Sequence, residues 1–325
     1  MLGVGDTMRR VEPTPVGAFD DWTTVDAGGA FSFESHTCAL RSSGWLYCWG
    51  SNTSGQLGLG LSGEDVLTPS RVGVERDWIS IAVGGGFTCG VRGTGTLWCW
   101  GTNSQGQLGL GASAPSSTST PTRVGTGTTW VDVTAGSLHA CARRTDDSVW
   151  CWGANSFGQL GQGDRSPRSS PTRVGVASWL QVSAGSGHVC GRQTDESTWC
   201  WGANDAGQLG AGPTNPRLTP TRVIGTTFRF RRLSAGNYHT CGVANDGSAW
   251  CWGSNEDGEL GRGRTGGTDS PTRTADGAVD WEEVGAGGQT CGIRSDGSLW
   301  CWGAGATTFE DGLTRLSPEI AACLL

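Results

Sequence analysis

The chain has 325 residues, among them 56 Gly, 17 Trp, 13 Cys and only 2 Met, and a formal net charge of -7. Glycine and tryptophan at these levels describe tight turns between aromatic anchors and exclude a helical bundle. The acidic balance excludes a broad phosphate-binding surface, no apolar run is long enough to cross a bilayer as a helix, and thirteen cysteines exceed what a reduced enzyme ordinarily carries.

From the N-terminus, Met1-Leu2-Gly3-Val4-Gly5-Asp6 contains no apolar segment that reads as a signal peptide, so an oxidised protein implies a native leader absent from this sequence. The first of six repeats opens at Trp22, and its counterparts open at Trp78, Trp130, Trp179, Phe230 and Trp281. Cys-Trp-Gly recurs from Cys48, Cys99, Cys151, Cys200, Cys251 and Cys301 at intervals of 51, 52, 49, 51 and 50 residues. Fixed spacing of this length is the mark of stacked supersecondary units. The third copy shows the whole unit: Trp130, Val133, Gly136, His139-x-Cys141, then Trp150-Cys151-Trp152-Gly153-x-Asn155-x-x-Gly158-Gln159-Leu160-Gly161, and after a variable loop Pro171-Thr172-Arg173-Val174.

Each unit predicts four short strands, because apolar residues alternate over four to six positions between Gly, Pro and Asn punctuation. Six pairs of cysteines, Cys38/Cys48, Cys89/Cys99, Cys141/Cys151, Cys190/Cys200, Cys241/Cys251 and Cys291/Cys301, stand ten positions apart; Cys323 is left over. Pairing Cys89 with Cys99 aligns Val91 with Leu97 and leaves Gly93-Thr94-Gly95 as a three-residue loop, so each pair faces across a hairpin at a separation a disulfide can bridge. Reduced buried thiols, or a zinc ion shared with His139, are the alternatives. The third loop position calls for a left-handed backbone, which Gly44, Gly95, Gly247 and Gly297 adopt readily, Asp147 less so and Glu196 poorly.

The chain begins and ends inside a unit. Leu2-Gly3-Val4-Gly5 matches Leu57-Gly58-Leu59-Gly60, Pro13-Thr14-Pro15-Val16 matches Pro121-Thr122-Arg123-Val124, and the last copy degrades after Trp302-Gly303. The expectation is an all-β, six-bladed β-propeller over 1–312 as a single domain, its last blade closed by the N-terminal segment, with 313–325 as a C-terminal tail.

The repeated unit resembles the regulator of chromosome condensation repeat family, and within it the bacterial secreted type with paired cysteines. The match runs from residue 2 to about 312. The resemblance implies a propeller, usually of seven blades, and its members' functions range from guanine-nucleotide exchange on a small GTPase to binding a protein through one disc face. Fold alone does not choose among these.

A catalytic reading needs residues that break the repeat, and none assemble into a motif. Gly58-x-Gly60-x-x-Gly63 and Gly261-x-Gly263-x-x-Gly266 fit a dinucleotide fingerprint by letter but sit in the repeat's own turn, with no helix to follow. His36, His139, His188 and His239 share one repeat position, occupied by Phe87 and Gln289 elsewhere, and are expected to hydrogen-bond rather than to bind metal. Arg71, Arg123, Arg173, Arg222 and Arg273 are expected to pack on a neighbouring Trp and pair with an acid. Phe228-Arg229-Phe230-Arg231-Arg232 reads as a strand with outward arginines. The expected function is therefore non-enzymatic protein binding without cofactor, metal, nucleic acid or membrane insertion, by a monomer that is secreted or surface-exposed, or cytoplasmic if its cysteines are reduced. The candidate surface is Phe31, Phe33, Phe87, Leu138 and Tyr238, on the loops before each first paired cysteine. A rigid module of a larger surface protein and a nucleotide-exchange factor are the alternatives.

Overall fold

The computed structural model describes residues 2–8, 14–28, 35–303 and 314–316, the last three as backbone alone. Among them there is no helix, and 24 strands form six four-stranded antiparallel sheets, each a meander in chain order. The first is β1 (Trp22–Gly28), β2 (His36–Arg41), β3 (Leu46–Gly50) and β4 (Val66–Arg71). The second is β5 (Trp78–Val83), β6 (Phe87–Arg92), β7 (Leu97–Thr102) and β8 (Ser117–Arg123), and the third β9 (Trp130–Ala135), β10 (His139–Arg144), β11 (Val149–Gly153) and β12 (Arg168–Arg173). The fourth is β13 (Trp179–Ala184), β14 (His188–Gln193), β15 (Thr198–Gly202) and β16 (Arg217–Arg222). The fifth is β17 (Phe230–Ala235), β18 (His239–Ala244), β19 (Ala249–Gly253) and β20 (Thr268–Arg273), and the sixth β21 (Trp281–Ala286), β22 (Gln289–Arg294), β23 (Leu299–Gly303) and β24 (Thr314–Leu316). The chain divides into two compact units, Met1–Ala154 with Pro167–Arg173, and Asn155–Ser166 with Val174–Ala321, so each holds three sheets.

The hairpins adopt the predicted register. Val91 pairs with Leu97, Cys89 with Cys99, and the Arg92 N–H donates to the Thr96 carbonyl at 3.0 Å around the three-residue loop. Asp147 and Glu196 do take the left-handed backbone, at φ 59° and 65°. The inner strands are buried on both faces, whereas the fourth strands are half-exposed edges. Those edges carry Pro69, Pro121, Pro171, Pro220 and Pro271, and each of these ladders slips register beside the Gly of Cys-Trp-Gly. Proline and a bulge both blunt an edge against further strand pairing. The Gly itself is obligatory: at Gly101, φ is +100° and a Cβ would lie 2.5 Å from the Gly86 carbonyl oxygen.

Two expectations about the chain ends need correction. The fourth strand of the sixth sheet is Thr314–Leu316, which pairs Thr314 with Cys301 and Arg315 with Trp300, the register Thr172 and Arg173 take in the third sheet. Leu313-Thr314-Arg315-Leu316 is thus a Pro-Thr-Arg-Val copy with Leu in place of Pro, a change an edge strand tolerates and one that hid it. Its residues are not a tail, and Thr14–Val16 is not a strand. Leu2–Gly5 does behave as a repeat loop: Gly3 lies on the Trp49 indole as Gly58 lies on Trp100, and the Gly5 N–H donates to Leu67 as that of Gly60 does to Ser119.

Candidate protein-binding surface

The repeat's signature residues are occupied with holding sheets together. Asn52 Oδ1 accepts the Leu57 N–H at 3.2 Å and Gln56 Oε1 accepts the Ser54 N–H at 2.8 Å, which shapes the Asn-x-x-Gly-Gln-Leu-Gly turn. That turn offers the Gln56 carbonyl to the next sheet, where it accepts from Trp100 Nε1 at 2.9 Å and from the Thr88 hydroxyl at 2.7 Å. The second unit repeats this, with Trp302 Nε1 and Thr290 both donating to the Glu259 carbonyl at 2.8 Å.

The histidines close the same latch. His36 Nε2 lies 2.8 Å from Thr88 Oγ1, His188 Nε2 2.9 Å from Thr240 Oγ1, and His239 Nε2 2.7 Å from Thr290 Oγ1. Because each threonine spends its single hydrogen on a backbone carbonyl, each imidazole is the donor and carries its proton on Nε2. The partner is therefore a side chain one repeat further on. His139 is the exception: it is fully buried, and among the described residues neither ring nitrogen has a hydrogen-bond partner. Its following repeat carries Val189 where the others carry Thr88, Thr240 and Thr290. Burial pushes the imidazoles of His139 and His239 down to about 4, and it pushes the Asp26 carboxyl up to about 6 against the Val83 N–H that donates to it. No group of three His, Cys, Asp or Glu among the described residues is placed to hold a metal ion.

All six cysteine pairs are disulfides, with Cα atoms 4.0–4.1 Å apart across non-hydrogen-bonded hairpin positions. The recurring arginines behave less uniformly than expected. Arg173, Arg222 and Arg273 act electrostatically on Asp146, Asp195 and Asp246, whose carboxyls are held below the usual range chiefly by Ser148, Ser197 and Ser248. Arg71 has no such acid, because Ser43 stands at that hairpin position; it lies over the Trp45 indole at 4.4 Å. The shortest ion pairs among the described residues belong instead to Arg41–Asp21 at 2.6 Å and to Arg92–Asp77, Arg143–Asp132 and Arg294–Asp276 at 2.7 Å.

The loops between first and second strands define one end of each sheet. They are stitched to one another by backbone bonds, Gly85 N–H to Ser137 O in the first unit, Ser186 to Gly236 and Asn237 to Gly287 in the second. Leu138 and Tyr238 occupy the same repeat position on these loops and are 39% and 54% exposed. Phe87 is not part of any surface. It stands at the histidine position, is fully buried, and its ring lies on Gly84, where a Cβ would come within 2.1 Å. Phe31 and Phe33 lie outside the described residues. Sequence reasoning missed Phe157, 42% exposed and within 3.4 Å of a Cβ at Gly187, so it borders the same loop end in the second unit. Its only signal was the place of an aromatic residue in a turn where other repeats carry Ser54, Gln105, Ala206 and Asp257.

The repeat, its latch and its six sheets have their counterpart in known proteins. Residues 32–293 match the model of the RCC1-like domain. The chain belongs to the RCC1-like domain family. The ultraviolet-B receptor UVR8 of Arabidopsis thaliana is 31% identical over 177 residues, which are 53% of this chain and 39% of the receptor. The crystal structure of human WBSCR16 is similar with a TM-score of 0.81 at 19% identity, covering 95% of this chain and 85% of that one. Yeast RCC1 (Prp20), in its complex with Kap60, gives a TM-score of 0.77 at 22% identity, covering 91% and 75%. At these identities the structures establish the RCC1-like β-propeller fold, here with six blades.

Proposed function

We propose that this RCC1-like propeller is a non-enzymatic protein-binding module that captures its partner on the loop end of its second unit, which bears Phe157 and Tyr238, and that it works outside the cell or at its surface. The carrying observation is a contrast of roles. The signature Asn, Gln, His and Thr side chains point into the latch, while the residues that vary at the loop end include exposed apolar ones. Large apolar groups on a backbone stitched in place are suited to an interface, since little ordering is left to do on binding. Yeast RCC1 bound to Kap60 supports protein recognition by this fold. The extracellular setting is supported by the six disulfides, which form and persist in oxidising compartments.

The test is binding by the Phe157→Ser/Tyr238→Ser double variant. Partner capture should fall by about tenfold or more, as for the loss of aromatic anchors, with the melting temperature unchanged. Val279→Ser, at an exposed apolar site at the opposite end of its sheets, should leave capture intact. Undiminished capture by the double variant overturns the assignment.

A further inference from the structure

The loops that lead from a fourth strand to the next sheet's first strand lie at the hairpin end and are flanked by two recurring arginine positions. One closes the fourth strand, as Arg71, Arg123, Arg173, Arg222 and Arg273 do; the other closes the second strand of a sheet, as Arg41, Arg92, Arg144 and Arg294 do. At the second position the cation ordinarily meets a carboxylate. Arg41 pairs with Asp21 at 2.6 Å, Arg92 with Asp77 at 2.7 Å and Glu75 at 3.8 Å, and Arg294 with Asp276 at 2.7 Å and Asp280 at 3.8 Å. Asp21, Asp77 and Asp280 each stand immediately before the opening Trp of their sheet.

Loop 124–129 departs from this pattern at every acidic position. Its sequence, Val124-Gly125-Thr126-Gly127-Thr128-Thr129, puts Thr129 where Asp77 and Asp280 stand and Gly127 where Glu75 stands. The hairpin position that holds Asp146, Asp195 and Asp246 in later repeats, where they meet Arg173, Arg222 and Arg273, is Thr94 here. Loops 174–178 and 223–229 also lack acids, but the second arginine position there holds Gln193 and Ala244. Loop 124–129 is therefore the one place among the described residues where both arginines are present and neither has an ion pair.

The two guanidinium groups are held against neighbouring residues of this loop. Arg123 Nη2 donates to the Thr126 carbonyl at 3.1 Å. Arg144 is clamped between the Trp130 and Trp150 rings at 4.3 and 4.1 Å. A Cβ at Gly127 would lie 3.9 Å from Arg144 Nη2 and would otherwise meet only the edge of the Trp130 indole, so the space into which Glu75 reaches toward Arg92 is open beside Arg144. Stacking fixes the plane of a guanidinium without neutralising it and leaves its terminal N–H groups to take oxygens of one anion.

The surrounding charges do not cancel this. Burial holds the Arg144 guanidinium below the usual arginine range; Asp146 opposes that shift and Arg173 adds to it. Asp146 also accepts the Ser148 hydroxyl at 2.6 Å and feels Arg173. Around the loop, arginines 123, 144 and 173 thus stand against one carboxylate, an excess of two positive charges that suits a divalent anion. Thr126, Thr128 and Thr129 add exposed hydroxyls that no described residue engages.

We infer that loop 124–129 binds a divalent oxyanion, a phosphate or sulfate group whose oxygens are shared between Arg123 and Arg144. The site lies at the opposite end of its sheets from the loop that carries Leu138 and does not depend on the protein-binding reading. The same group comes as a free ion or as an ester on a larger ligand. Titration of the intact protein at pH 8 and constant ionic strength, followed through the indole N–H signals of Trp130 and Trp150 in proton–nitrogen NMR, uses three probes: inorganic phosphate, phenyl phosphate and acetate. Constant ionic strength separates binding from screening. Both phosphates should shift these signals saturably, and acetate should bind about tenfold more weakly or not at all. Tighter binding of phenyl phosphate than of inorganic phosphate assigns the site to an ester, and equal or weaker binding to the free ion.

Arg144→Gln should weaken phosphate binding by about tenfold or more, the scale of lost hydrogen bonds to a charged group; near-ultraviolet circular dichroism checks that this variant is folded. Thr129→Asp, at an exposed position, supplies the carboxylate that Asp77 gives Arg92 and should weaken binding as much. Arg92→Gln removes an arginine already paired and should leave the affinity unchanged. Absence of a saturable shift up to about 10 mM, a dissociation constant about tenfold above millimolar, overturns the inference. So does acetate binding as tightly as phosphate, wild-type affinity in Thr129→Asp or Arg144→Gln, or an equal loss in Arg92→Gln.

Discussion

Two joints built from the same repeat position differ in one atom's partner. His36 and His139 are both buried at the start of a second strand, but His36 donates to Thr88, which donates on to the Gln56 carbonyl, while His139 has no partner among the described residues. Each repeat carries half of a latch whose other half lies about fifty residues on, so a motif complete within one repeat does not guarantee a completed bond. Phe87 shows the apolar solution to the same problem: it is buried in a cluster with Ala140, where the polar joints have threonine.

The largest effect should come from breaking a good joint. Thr88→Val leaves the His36 Nε2–H unpaired and removes the hydroxyl's bond to Gln56, and should lower the unfolding free energy by roughly 3 kcal/mol; denaturant titration measures it, and a loss below about 0.5 kcal/mol would count against the latch. Acid should act next. His139 and His239 titrate near 4 in the folded protein and near 6.5 unfolded, so between these values the unfolded chain binds protons the native state refuses. Stability is then lost as pH falls from about 6.5 to about 4, by up to roughly 3 kcal/mol for each histidine. Asp26 opposes this below about 6, because its raised value makes the native state the better proton acceptor. Unfolding free energies from pH 7 to pH 4 should fall, and His139→Phe should flatten the decline.

At pH 7, His139→Phe replaces an unpaired imidazole by the ring found at position 87 and should stabilise by about 1 kcal/mol; a loss would mean that His139 has a bond yet unseen. The smallest effect belongs to the hairpin turn. Glu196→Gly relieves a left-handed glutamate and should gain about 0.5 kcal/mol in denaturant titration, with its exposed bond to Arg229 contributing little. The next repeat already carries Gly247 at this turn position, with φ +81°.

Much of the fold was legible because the repeat repeats. Six copies in register fixed strand count, hairpin alignment and cysteine pairing, since each follows from local alternation and turn chemistry. Thr314–Leu316 escaped because Leu313 replaced the proline that marked every other copy. The latch partners escaped because Thr88, Thr240 and Thr290 are small residues with no pattern of their own inside a repeat. The surface was the least legible part. Phe87, Leu138 and Tyr238 are all apolar residues of the same loops, but one position's shift turns Phe87 onto Gly84 while Leu138 and Tyr238 face solvent.

The most direct measurement places a photo-crosslinking amino acid at position 238 in one variant and at 279 in another, both exposed and at opposite ends of their sheets. Binding through the stitched loops predicts covalent partner adducts from position 238 and not from 279. Adducts from 279 with none from 238 would put the partner on the other end and contradict the account.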